Sequence, residues 1–131
     1  MKKLLLLFAL FAMFATTACK KETGITAKMT WVDKDYFDLQ GKWKLALFEG
    51  TLGFFKAEDY NAPVVETKNI KVGDSEAVFS VTIDSYEGYT LVAFFDKNDN
   101  GKFDEGENCK VNFEVGVSKG EDDSFDLEIA Y

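Results

Sequence analysis

Residues 96–107 run Asp96-Lys97-Asn98-Asp99-Asn100-Gly101-Lys102-Phe103-Asp104-Glu105-Gly106-Glu107, and their spacing suits a hard divalent cation. Oxygen-bearing side chains fall at positions 1, 3, 5, 9 and 12 of the twelve, with glycine at 6 and an apolar residue at 8. Ca²⁺ takes six to eight oxygen ligands, and alternate residues of a tight loop turn their side chains inward. Asp96, Asn98 and Asn100 would coordinate through side chains and Lys102 through its backbone carbonyl. Asp104 would act through a water, and Glu107 would close the site with two oxygens. Gly101 permits the sharp reversal that the fold-back needs. Asp99 and Glu105 alternate outward as spectators. Three of the five donor side chains are charged, which points to weak extracellular binding, on the order of 10⁻⁴ M.

The flanking segments must hold this loop, and their hydrophobic period is two. Ile25, Ala27, Met29 and Trp31 alternate with polar residues, as do Trp43, Leu45 and Leu47. So do Ala77, Phe79, Val81 and Ile83; Cys109, Val111, Phe113, Val115 and Val117; and Phe125, Leu127, Ile129 and Tyr131. Such runs are half-buried strands. Thr90 to Phe95 is apolar on both faces after its first residue, which places it centrally in a sheet, while Val64 to Val72 is a weaker, edge-like strand. Glu49-Gly50, Gly73-Asp74, Glu87-Gly88 and Lys119 to Asp123 supply turns. The expectation is an all-β fold: a single antiparallel β-sandwich of about seven strands over residues 25–131, preceded by a signal-peptide helix. The loop would then join two strands, so a bound ion would staple their register and would not reorient helices. Gly50 to Pro63 is the longest irregular stretch, and its Leu52, Phe54, Phe55 and Tyr60 are expected to cap one end of the sandwich or to form a binding surface.

The N-terminus pairs a basic start, Lys2-Lys3, with an apolar run from Leu4 to Phe14, the layout of a secretory signal. Thr16-Thr17-Ala18-Cys19 resembles the lipobox of bacterial lipoproteins, although Thr16 stands where that family prefers Leu. The resemblance implies a signal peptide over 1–18, acylation of Cys19 and a short tether over 19–24. It also implies attachment to a bacterial cell envelope, at the outer membrane or cell surface rather than the inner membrane. More than one acyl chain gives a stable anchor. Cys109 would then be the one remaining thiol, a small hydrophobe on a strand.

Without Lys2 and Lys3 the chain keeps 13 basic and 23 acidic residues, a net charge of −10, with no arginine and no histidine. Nucleic acid is a poor partner for such a surface. The absence of histidine removes the commonest general base and the commonest zinc ligand. Carboxylate pairs such as Asp33 with Asp35 and Glu58 with Asp59 arise easily among 23 acids, and the chain is read as a non-enzyme.

The segment from Tyr86-Glu87-Gly88-Tyr89-Thr90 through Phe95 into the loop ending at Glu107 resembles a motif of prealbumin-like or Cna-B-like β-sandwich domains. In these, a Gly-Tyr-led strand runs into an Asp-x-Asn-x-Asn-Gly-Lys-x-Asp-x-Gly-Glu loop, an EF-hand-type loop set between strands. The resemblance covers about a sixth of the chain. It implies one structural Ca²⁺ and no catalytic residues. The function expected is therefore a lipid-anchored, calcium-stabilised structural or adhesive surface module, touching the membrane through its anchor and an unidentified protein or glycan. The alternative is a carbohydrate- or other ligand-binding lipoprotein that uses Trp31, Trp43 or the Phe54-Phe55-Tyr60 stretch as stacking platforms.

Overall fold

The computed structural model describes residues 21–36, 42–83, 86–118 and 120–130. The expected signal peptide, Cys19 and Tyr131 lie outside the described residues. Seven strands appear among them: β1 (Lys21–Val32), β2 (Trp43–Glu49), β3 (Val64–Asn69), β4 (Glu76–Ile83), β5 (Tyr86–Phe95), β6 (Asn108–Ser118) and β7 (Asp123–Ala130). They form a three-stranded sheet in the order β4-β1-β7 and a four-stranded sheet in the order β3-β2-β5-β6. No described helix is long and apolar enough to cross a membrane.

The period-two pattern sends one face of each strand into the space between the sheets. Ile25, Ala27 and Met29 of β1 meet Phe79, Val81 and Ile83 of β4, Leu45 and Leu47 of β2, Leu91 and Ala93 of β5, and Leu127 and Ile129 of β7. Each fully buried Leu, Ile or Phe side chain there contributes about 1.5–3 kcal/mol relative to exposure. β5 is buried on both faces and lies inside its sheet, and β3 is an edge, both as their apolar content predicts.

Four pairings are antiparallel, but β1 and β7 run parallel, with Ile25 opposite Asp123 and Val32 opposite Ala130. The sandwich is thus antiparallel with one parallel edge pair, a connection that no local pattern encodes. β1 begins earlier than expected: Lys21 already pairs with Ile83. Residues 21–24, expected as tether, are strand, and buried Thr23 accepts the Gly120 N–H at 2.9 Å. Glu87-Gly88, expected as a turn, lies inside β5, where Gly88 pairs with Gly116. A Cβ on Gly88 would stand 3.2 Å from Thr51 Oγ1, so the glycine serves close approach there, not chain reversal.

A second apolar layer covers the outer face of the four-stranded sheet. Ala46, Phe48, Val92 and Phe94 point outward from β2 and β5, and Leu52, Phe54, Tyr60, Ala62 and Phe103 cover them. Residues 50–63 therefore fold back along a sheet face rather than across an end of the sandwich, and leave Phe55 exposed. Thr90 fastens this excursion, donating to Gly50 O at 2.7 Å and accepting the Leu52 N–H at 2.9 Å. Glu49 N–H to Pro63 O at 2.9 Å closes its neck. Phe54 takes a positive φ of 56°, a strained choice for a bulky residue, and is held by ring contacts to Phe48, Tyr60 and Phe103 at 5.1–5.4 Å.

Candidate metal centre

The loop hangs between the end of β5 and the start of β6, and its root is fixed to the sheet. Asp96 N–H donates to Lys42 O at 2.8 Å, continuing the β2–β5 ladder one step past Phe95. That puts the Asp96 carboxylate inside the protein, 0% exposed. Its Oδ2 accepts the Gly101 N–H at 2.8 Å and its Oδ1 the Asn100 N–H at 3.2 Å, so the first donor position organises the turn around it. Gly101 has φ 76° and Asp99 has φ 56°, the left-handed conformations that let the chain fold back over this carboxylate.

The other candidate donors gather round Asp104. The side-chain amides of Asn98 and Asn100 both donate to Asp104 Oδ2, at 3.1 and 2.7 Å. The amide oxygens turn back to backbone, Asn98 Oδ1 to Asn100 N–H at 3.3 Å and Asn100 Oδ1 to Lys102 N–H at 2.9 Å. Glu107 closes the ring: Oε1 accepts the Lys97 N–H at 3.0 Å and Oε2 the Asp104 N–H at 2.9 Å. A hollow of about 410 Å³ lies against Lys97, Asn98 and Asp104 to Glu107. Lys102 is exposed. Asp99 also points outward, 3.9 Å from Lys44 Nζ, a pair that contributes little at the surface.

This arrangement satisfies the carboxylates with N–H groups. Two amide NH₂ groups supply to Asp104 the positive partial charge that a cation would otherwise bring. Among the described residues no group of three or more His, Cys, Asp or Glu side chains is gathered so as to hold a metal ion. The candidate donors named from the sequence are three carboxylates, two amides and the Lys102 carbonyl, and oxygens of this class are taken by hard cations rather than soft metals. Turning the two amides so that oxygen replaces NH₂ beside Asp104 would convert the ring from internally hydrogen-bonded to cation-facing.

Other expected positions sort differently. Trp43 is buried and Trp31 half-buried, packed edge to face at 6.3 Å, with the Trp31 indole N–H donating to Asp74 O at 2.9 Å. Phe54 is covered, Tyr60 is partly exposed, and Phe55 is 95% exposed. Among the proposed platforms Phe55 is thus open, Trp43 is closed, and Trp31, Phe54 and Tyr60 are half-buried. Asp33, Asp35 and Glu58 are exposed and Asp59 is half-buried.

Cys109 is exposed rather than turned into the core. The β5–β6 register skips Lys110, so Val111 faces Ala93 while Cys109 faces Phe94. This bulge moves Cys109 to the outer face of the sheet. Although the residue reaches solvent, partial desolvation of its sulfur by the neighbouring protein pushes the thiol pKa up, which disfavours the reactive thiolate. Sequence reasoning missed the role of Phe103. At loop position 8 it counts as a generic apolar residue, yet it stacks at 4.9–5.2 Å on Phe94, Phe54 and Tyr60.

Comparison of the chain with protein-family models, with curated proteins and with solved structures found no match.

Proposed function

We propose that the chain is a lipid-anchored extracytoplasmic bacterial lipoprotein whose β-sandwich takes up one structural Ca²⁺ in loop 96–107 and serves as a structural or adhesive surface module. The observation that carries the metal reading is the convergence of loop positions 3, 5 and 9, with Asn98 and Asn100 both on Asp104 Oδ2, above the buried Asp96 carboxylate. The likeness of residues 86–107 to prealbumin-like or Cna-B-like domains belongs to the same proposal, and the two-sheet all-β architecture is compatible with it. Asp96, Asn98, Asn100, Asp104, Glu107 and the Lys102 carbonyl would hold the ion, which would supply positive charge to carboxylates that otherwise rely on N–H donors. Because the loop joins neighbouring strands, the ion would fix the β5–β6 pairing and stabilise the folded state by mass action.

Two measurements test the two halves. Tb³⁺ titration should give luminescence sensitised by nearby aromatic rings, displaced by Ca²⁺ and lost in Asp96→Ala; silence in the wild type contradicts the metal reading. Intact-mass analysis of the chain extracted from bacterial membranes should show acylation and an N-terminus at Cys19. A Cys19→Ala chain should lose membrane association, and retention at the membrane contradicts the anchor. The alternative ligand-binding reading is favoured by one observation, a cleft beside Tyr60.

A further inference from the structure

Where the 50–63 excursion meets loop 96–107, a cleft of about 520 Å³ opens on the outer face of the four-stranded sheet. We propose that this cleft binds a neutral saccharide ring and that metal uptake by the loop governs its affinity; the second half rests on the calcium reading. Beneath the cleft lie the nearly buried rings of Phe48 and Phe103, and the partly exposed Tyr60 supplies the aromatic surface that a ligand would meet. The rim carries Asn61, Lys102 and Asp104: one amide able to donate and accept, one donor and one acceptor. Opposite charges at the rim leave no net preference for an anion or a cation. A wholly apolar ligand would strip water from these groups without replacing it. A sugar ring offers the complement, an apolar C–H face for aromatic carbon and hydroxyls that both donate and accept. The volume lies in the range of small-molecule sites and accommodates roughly one or two rings.

The coupling follows from shared residues. Asp104 stands on the cleft rim and also receives the amides of Asn98 and Asn100 in the loop. Its neighbour Phe103 is both the cleft floor and the contact that holds Phe54 and Tyr60 in place. A change in the loop on metal uptake therefore moves one wall of the cleft directly. Phe55 is excluded from the site because it does not line this cleft.

The test is saturation-transfer NMR on the full chain in lipid nanodiscs, using a panel of neutral methyl glycosides and disaccharides, with Ca²⁺ or with chelator. At least one panel member should show transfer to its ring C–H protons. Tyr60→Ala and the surface variant Asn61→Ala should each weaken it, while both keep the calcium-dependent rise in melting temperature that reports an intact fold. Chelator or Glu107→Gln, which leaves the cleft lining untouched, should weaken binding about tenfold. No transfer with any panel member, or transfer unchanged in both cleft variants, overturns the site, whether or not calcium stabilises the fold. Transfer that is lost in the cleft variants but indifferent to Ca²⁺ overturns the coupling. If the melt is also indifferent to Ca²⁺, the calcium reading itself has failed and the saccharide site stands alone.

Discussion

Asp96 does structural work even without a cation, because its buried carboxylate accepts two backbone N–H groups of the turn. Asp96→Ala leaves the Asn100 and Gly101 N–H groups without their acceptor, and the expected loss is about 1–3 kcal/mol in the presence of chelator. Urea unfolding measures it, and an unchanged midpoint would mean that the turn holds itself. Glu107 differs in being reached from the far end of the loop, so Glu107→Gln keeps one acceptor oxygen and mainly removes charge. A third residue sets a pH limit. Tyr89 is buried and its hydroxyl donates to Glu87 Oε2 at 3.1 Å; desolvation first, and the hydrogen bond to Glu87 second, push its pKa from 10.0 up to about 12. The folded chain then holds this proton more tightly than the unfolded chain. The stabilisation is fully present below pH 10 and is lost as pH rises through about 12. Tyr89→Phe should flatten the fall in melting temperature over that interval, and a wild-type profile in the variant would refute the assignment.

Among the elements, the strands were the most legible part of the chain, since alternation at Ile25 to Trp31 and Ala77 to Ile83 survives intact in the structure. Their partners were not, because β1 pairs β7 through contacts about a hundred residues apart in sequence. The β6 pattern misled at its start: Cys109 continues the apolar alternation in sequence, but the bulge at Lys110 reverses its face. The loop's fold-back was visible in its Asn, Asp and Gly spacing, whereas the hydrogen bonding of both asparagine amides to Asp104 depends on side-chain rotamers that spacing does not specify. The 50–63 excursion was opaque for another reason. Its aromatics have no period, and their destination depends on a sheet face made apolar by Phe48, Val92 and Phe94. Phe103 joins this layer to the loop and is 5% exposed. Phe103→Ala should cost about 3–5 kcal/mol and, by loosening the excursion, should speed tryptic cleavage after the already exposed Lys56. Cleavage there no faster than in the wild type would show that the excursion is held without it.

For the whole molecule, charge and direction matter together. β6 carries the chain from the loop at Asn108 to Ser118, and the next turn brings Gly120 against Thr23 near the start of β1. Eleven residues of strand separate these ends by roughly 35 Å. With an anchor at Cys19, two residues before β1, loop 96–107 becomes the membrane-distal end. A fluorophore at Glu121→Cys should be quenched by headgroup-labelled lipid and one at Glu105→Cys should not, both in a Cys109→Ser background; equal quenching contradicts this orientation. The net charge of −8, or −10 without Lys2 and Lys3, would make uptake of a divalent cation more favourable than the local ligands alone, since a bound cation relieves repulsion across the surface.

In the proposed function, loop 96–107 staples β5 to β6 through a cation. Thermal unfolding of residues 20–131, with millimolar Ca²⁺ and with chelator, on the wild type and on Glu107→Gln, tests it most directly. At ten times Kd the ion contributes about 1.4 kcal/mol, which for a domain of this size raises the midpoint by roughly 6 °C. The wild type should show that rise and Glu107→Gln little or none. Superimposable wild-type melts with and without Ca²⁺ would contradict it and leave Asp96 to Glu107 as a self-satisfied acidic hairpin.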